Sequence, residues 1–172
     1  MLNKKLKNNF NVNNMKQALI IVLVFIGVQL KGQSISGCEN VSLKSNIEIK
    51  EAEPCVKKLS EFALMQPMIG CSEEGHYARK VVYAWVESTQ DYTFSLNNSV
   101  MKIFNDKNLL LFTTYVACLA NAALTKGASY EKYGLELFVN YIRNPDNKVD
   151  QSKLVVRLVS DWDNNKIDKY LK

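Results

Sequence analysis

The feature that most constrains the fold is a nearly continuous apolar run in the second half of the chain, from Leu109 to Ala123. Its apolar residues occur at nearly every position, so a helix over this run would be apolar on most sides. Such a helix is stable in water only when other elements cover it. We therefore expect a central buried helix, with Asn108 at its N-cap and Gly127 at its end.

Segments on both sides of this run carry apolar residues at helical spacing, as helices packed on a core do. The predicted helices run from Pro54 to Pro67, from Tyr77 to Trp85, from Asn98 to Phe104, from Ser129 to Asn144, and from an N-cap at Asp150 to Trp162, with a short tail helix from Ile167 to Leu171. The predicted fold class is all-α, a compact bundle of five or six helices around the central helix, over residues 51–172. Residues 33–50 alternate weakly and predict an extended N-terminal arm or a short strand.

A second apolar run, Ala18–Leu30, is typical of an export signal. It follows several lysines and is too short for the ~20 residues that span a bilayer. Residues 1–32 are therefore predicted to be a signal peptide, with Met15 as an alternative translation start. Cleavage before Gln33 would release the protein into the periplasm or the medium. Alternatively, the Ile-Ser-Gly-Cys sequence ending at Cys38 resembles a lipobox, and acylation of that cysteine would anchor the protein in a membrane.

The charge distribution excludes one class of partner. Lysine and arginine together number 22 and aspartate and glutamate 17, which gives a formal net charge of +5. The whole excess lies in residues 1–32, which hold five lysines and no acidic residue, so residues 33–172 are formally neutral. A neutral domain lacks the positive field that attracts nucleic acid. We expect no nucleic-acid partner.

All four cysteines, Cys38, Cys55, Cys71 and Cys118, follow the predicted signal peptide. An even number in an exported chain favours two disulfides, with three pairings open. We prefer Cys55–Cys71, which closes a short loop, together with Cys38–Cys118; acylation of Cys38 would instead leave one disulfide and one thiol. No metal site is predicted, because there is no C-x-x-C pair and the only histidine is His76. No cofactor motif is present either.

Two sets of side chains are candidates for a site. Glu73, Glu74 and His76 are titratable residues close together in the sequence. The two glutamates lie within Gly70–Gly75, which we predict to be a loop, and His76 directly follows it. A carboxylate and an imidazole can share general acid–base catalysis, but no nucleophile is identified, and acidic residues also favour the start of a helix. The second set consists of the tyrosines that fall off the core-facing positions; together with His76, the candidate binding residues are Tyr83, Tyr92 and Tyr133.

The sequence resembles two known groups of proteins. Trp85–Phe94 reads W-x3-T-x-D-Y-T-F and is similar to a segment of exported helical proteins of Bacteroidota, which implies export and a helical architecture but no activity. Tyr115–Leu119 and Leu137–Pro145 are similar to motifs of the helical periplasmic immunity proteins of type VI secretion, the Tai kind. That likeness implies a protein partner. The C-terminal cysteine and the glycines of that group are absent, so no binding residue is transferred.

These observations favour a small exported protein that acts as a non-enzymatic binding or interaction module. Its partner is an unidentified protein or small molecule, and a membrane is involved only if Cys38 is acylated. Two alternatives remain open from the sequence: a periplasmic immunity or inhibitor protein, and a small hydrolase that uses Glu73 or Glu74 with His76.

Overall fold

The computed structural model describes residues 35–104, 108–127 and 130–171. The predicted signal peptide over residues 1–32 and the alternative start at Met15 lie outside these ranges, so both stay predictions. Ser129, the expected first residue of a helix, also lies outside them.

The described residues form seven α-helices and no strand, which confirms the all-α fold class. The helices are α1 (Asn46–Glu51), α2 (Glu53–Leu64), α3 (Glu73–Ser88), α4 (Asn98–Met101), α5 (Leu109–Lys126), α6 (Tyr130–Arg143) and α7 (Lys153–Asp163). Two short 3-10 turns, Pro145–Asn147 and Asp168–Tyr170, follow α6 and α7. The helix that the sequence did not predict is α1.

Helix α1 occupies the end of the segment that was predicted to be an extended arm. The Ser45 hydroxyl accepts a hydrogen bond from the Glu48 amide, and the Glu48 carboxylate accepts one from the Lys44 amide at 2.8 Å. This reciprocal arrangement is close to a capping box, which starts a helix. The prediction of an arm or strand is therefore wrong for residues 46–50, while residues 35–45 are irregular.

Two other helix starts differ from the predictions for the same physical reason. The Ser72 hydroxyl accepts from the Gly75 amide at 3.0 Å, so α3 begins at Glu73 within the segment predicted to be a loop. The Ser152 hydroxyl accepts from the Val155 amide, which makes Ser152, and not Asp150, the N-cap of α7. A serine hydroxyl that accepts from the backbone amide three residues later is about as favourable an N-cap as an aspartate carboxylate.

The centre of the fold is α5, which packs against α2, α3 and α6 and confirms the predicted central helix. Its two sides belong to different apolar clusters, one with α6 and α7 around Phe138 and one with α2 and α3 around Trp85. Close packing of α6 on α5 depends on Gly134, where a Cβ atom would lie 2.8 Å from Leu119 Cδ2.

Helix α5 is the one helix in the described part of the chain that is long and apolar enough to cross a membrane. Most of its residues from Leu111 to Ala123 are buried against the other helices. Burial inside the domain accounts for its apolar composition, because a core helix needs apolar residues on every covered side.

The cysteines pair differently from our preferred arrangement. Cys38 and Cys55 form a disulfide with their Cα atoms 5.5 Å apart, and Cys71 and Cys118 are free thiols. The pairings Cys55–Cys71 and Cys38–Cys118 are therefore wrong. A turn at Gly37, where φ is +83°, brings Cys38 onto the first turn of α2, whereas Cys118 is fully buried inside α5.

This cysteine arrangement predicts two stages of alkylation. In the folded protein we expect a small alkylating agent to modify only Cys71, which is half-buried. Cys118 should react only after unfolding, because burial excludes the reagent and raises the pKa of its thiol. Mass spectrometry after alkylation, with and without denaturant, measures this. A non-reducing digest that links Cys55 to Cys71, or two labels on the folded protein, would contradict the arrangement.

Candidate functional site

A groove with a volume of about 520 Å³ lies between α3 and the start of α5. Helix α3 contributes residues spaced three and four apart, which places them on one helix face. The lining residues are His76, Arg79, Lys80 and Tyr83 from α3 and Leu109, Leu110 and Thr113 from α5. Its surface is mainly apolar, with basic side chains on the α3 side.

Arg79 supplies a positive charge at the inner side of this groove and is only 2% exposed. The guanidinium donates to Thr114 Oγ1 at 3.1 Å and to the carbonyl oxygens of Ala63 and Gln66, both at 3.0 Å. It also lies 2.7 Å from the sulfur of Cys71. These contacts join the C-terminal end of α2 to α3 and α5, where the helix dipole of α2 favours a cation.

No carboxylate pairs with this buried cation in the described part of the chain. The nearby Tyr141 hydroxyl donates to the Gln66 carbonyl at 2.6 Å, and burial raises the pKa of that hydroxyl, so it stays neutral. Lys80, the next residue of α3, is exposed and likewise forms no ion pair with a described carboxylate. The α3 side of the groove therefore holds two cationic side chains that form no ion pair with a described carboxylate.

Tyr83 closes one end of the groove. Its ring packs edge-on against Phe112 with the ring centres 6.0 Å apart. Its hydroxyl bonds to the Glu87 carboxylate, and this bond raises the pKa of the tyrosine. At the other end, the His76 side chain is exposed and forms no hydrogen bond with another described residue. The groove thus brings together two of the four predicted binding residues.

The other two predicted binding residues lie elsewhere. The Tyr92 ring packs 5.6 Å from Trp85 and 6.2 Å from Phe94, as part of the core boundary. The ring of Tyr133 faces the Lys126 ammonium, which is 5.2 Å from the ring centre. Neither tyrosine lines the groove, so both contribute to packing rather than to this site.

The predicted acid–base cluster does not form a catalytic arrangement among the described residues. Glu73 and Glu74 are exposed in the first turn of α3, where the helix dipole favours acidic side chains. No hydrogen bond joins either of them, or a hydroxyl or thiol nucleophile, to His76, as a nucleophile–base pair requires. No group of three histidine, cysteine or acidic side chains that could hold a metal ion occurs in the described ranges.

The comparisons with known proteins give no relative: no protein-family model, curated protein or solved structure matches this chain. The resemblances of Trp85–Phe94 and of Tyr115–Leu119 therefore stay predictions. In the structure, the aromatic rings of the first segment pack together, and Phe94 lies 5.3 Å from Tyr130, measured between ring centres. This segment connects α3 to the core.

Sequence reasoning missed the basic and aliphatic residues of the groove. The signal for Arg79 was its position in α3, because it lies one turn before Val82 and one turn after Gly75 on the buried face. The signal for Lys80 was its spacing of four residues from His76 and three from Tyr83. The signal for Leu109 was its position as a large apolar residue at the start of a helix, where side chains are often exposed to solvent. Leu109 is 70% exposed.

Proposed function

We propose that this protein is an exported, non-enzymatic binding module that holds a small molecule in the α3–α5 groove. The observation that supports this best is the groove itself, whose volume of about 520 Å³ lies within the range of small-molecule sites. Its mainly apolar lining with a few polar groups is typical of ligand-binding pockets.

The lining indicates which kind of molecule would bind. Leu109, Leu110 and Tyr83 offer apolar and aromatic surface, which favours an apolar ligand body. Lys80 has no ion pair with a described carboxylate, and Arg79 carries an uncompensated buried charge beside it. An acidic group on the ligand could pair with Lys80 and would lie close to the charge of Arg79. All the described contacts of Arg79 are internal, so it acts through its field rather than by direct contact.

One prediction and one observation support export in released form. The predicted signal peptide would direct the chain out of the cytoplasm, and the Cys38–Cys55 disulfide is consistent with an oxidising compartment. Acylation at Cys38 needs the same sulfur atom that the disulfide uses. A molecule with this disulfide therefore carries no lipid on Cys38.

A fluorescent probe tests the groove. We expect N-phenylnaphthylamine, which is apolar and neutral, to bind, and its acidic relative anilinonaphthalene sulfonate to bind more tightly because of Lys80. Leu109→Asp should weaken binding of both probes about tenfold, since it places a carboxylate on the apolar wall. The measurement is a fluorescence titration of the mature protein.

Ile47→Asp is the matched control for this titration. Ile47 is 71% exposed in α1 and lies outside the groove, whereas Leu109 is 70% exposed and lines it. Both variants should therefore fold normally, and only Leu109→Asp should lose probe affinity. Equal losses in the two variants, or no probe binding by the unmodified protein, would reject the groove as a ligand site.

A further inference from the structure

A second concave site lies where α4, α7 and the turn Asp168–Tyr170 meet. It is a small cleft of about 150 Å³. Each of the three elements supplies one cation, from Lys102 at the end of α4, Arg157 in α7 and Lys169 in the turn. The remaining lining residues are Ser99, Ile103, Leu154 and Tyr170.

Two of the three cations, Arg157 and Lys169, share an acidic neighbour, Asp161. Asp161 accepts from Lys169 Nζ at 2.5 Å and from the Tyr170 hydroxyl at 2.7 Å, and Arg157 Nε lies 3.7 Å away. All three contacts are to the same carboxylate oxygen, Oδ2. The hydrogen bond from Lys169 holds the pKa of Asp161 below its usual value, so this carboxylate is charged at neutral pH.

Lys102 has no ion pair with a carboxylate in the described part of the chain. Among the described lining residues and Asp161, three positive side chains and one negative side chain therefore leave an excess of two positive charges. The residues come from separate parts of the sequence, so this concentration of charge results from the fold and not from a basic run. In a domain that is formally neutral after residue 32, it is a local feature.

We infer that this cleft binds a phosphate group, as the free ion or as a phosphomonoester. A phosphate dianion matches the excess charge, and arginine and lysine are the side chains that recognise phosphate in proteins. The Ser99 hydroxyl adds a neutral donor among the lining residues. Because the cleft is small, it takes the phosphate group alone, and the rest of a phosphomonoester would extend into solvent. The site is separate from the α3–α5 groove and does not depend on the function proposed for it.

Thermal unfolding of the mature protein tests this inference. At constant ionic strength, replacing chloride by inorganic phosphate should raise Tm in a concentration-dependent way, since a ligand that binds only the folded state stabilises it. Lys102→Met should weaken phosphate binding about tenfold, because it removes one cation of the cleft and breaks no ion pair with a described carboxylate. The matched control is Lys153→Met, at the exposed start of α7 and outside the cleft.

The outcomes separate a specific site from general screening. The inference is supported if Lys102→Met, and not Lys153→Met, reduces the phosphate-dependent rise in Tm while both variants keep the Tm of the unmodified protein in chloride. It is overturned if phosphate and chloride have the same effect on Tm, or if Lys102→Met and Lys153→Met reduce the phosphate-dependent rise in Tm equally. Sedimentation with vesicles of phosphatidic acid, compared with phosphatidylcholine, then identifies the source: co-sedimentation that needs Lys102 indicates a lipid phosphate, and its absence a soluble one.

Discussion

Replacing Arg79 with methionine is expected to lower the free energy of unfolding by about 4 kcal/mol. The guanidinium is buried and donates to Thr114 Oγ1 and to the carbonyl oxygens of Ala63 and Gln66. Methionine fills similar space but donates no hydrogen bond. The Gln66 carbonyl keeps a bond from Tyr141 and the Ala63 carbonyl keeps one from the Gln66 amide at 3.3 Å, but both lose the charged donor that the guanidinium supplies.

A competing effect has the opposite sign. Burying a cation without a carboxylate costs several kcal/mol, and apolar residues that replace a whole buried ionic group can stabilise a protein. Here the acceptors are mainly backbone carbonyls, which the substitution cannot remove. Each hydrogen bond lost from a charged donor costs about 1.5–3 kcal/mol. Because Arg79 serves several acceptors at once, we expect the loss of its hydrogen bonds to outweigh the desolvation that methionine avoids.

Urea unfolding measures the effect of Arg79→Met, and Lys80→Met is its control. Lys80 is the next residue of α3, carries the same charge and is exposed. Its replacement should change stability by less than about 0.5 kcal/mol, as for most surface substitutions. The m values of both variants should equal that of the unmodified protein, so that differences in the urea midpoint report differences in stability. If Arg79→Met were as stable as Lys80→Met, desolvation would balance the hydrogen bonds and the network would not stabilise the fold.

Much of the fold follows from local patterns in the sequence. The apolar run from Leu109 predicted the central helix, because only a helix covered by others can be apolar on most sides. Pro54 lies in the first turn of α2, and Gly127, with φ of +57°, ends α5. These signals act within a few residues of where they occur, so the sequence shows them directly.

Features that depend on the tertiary fold could not be predicted in this way. The partner of Cys55 is decided by the turn at Gly37, which brings Cys38 to α2, and not by the loop length that favoured Cys71. Helical spacing places Arg79 on the buried face of α3, but its acceptors come from α2 and α5 and are distant in sequence, so its hydrogen bonds could not be predicted.

The candidate groove was predicted in part. Tyr83 and His76 were singled out because they do not fit the core-facing positions of their helix, and both line the groove. The same criterion selected Tyr92 and Tyr133, which pack against Trp85 and Lys126 instead. A residue that leaves the core face of one helix can still contact a neighbouring segment. Helical spacing therefore identifies candidates but cannot show which of them share a surface.

Replacing Trp85 with alanine is expected to lower the free energy of unfolding by about 4 kcal/mol, as for large aromatic residues removed from a core. Trp85 is fully buried, and its indole nitrogen donates to the Ile49 carbonyl of α1 at 3.0 Å. Its ring also contacts Tyr92 and Phe94. The side chain thus joins α1, α3 and the segment after α3. The measurement is urea unfolding followed by circular dichroism, because the substitution removes one of only two tryptophans.

Phenylalanine at the same position separates the hydrogen bond from the packing. Trp85→Phe keeps an aromatic ring but removes the N–H donor, so the Ile49 carbonyl is left without it and stability should fall by about 2 kcal/mol. Trp162→Phe is the matched control, since Trp162 is half-buried and its indole nitrogen donates to no described residue. Amide exchange in α1 should accelerate in Trp85→Phe alone, because the lost bond anchors that helix. If Trp85→Phe and Trp162→Phe lowered stability equally and amide exchange in α1 stayed unchanged, packing of the Trp85 ring, and not its bond to Ile49, would fix α1 to the core.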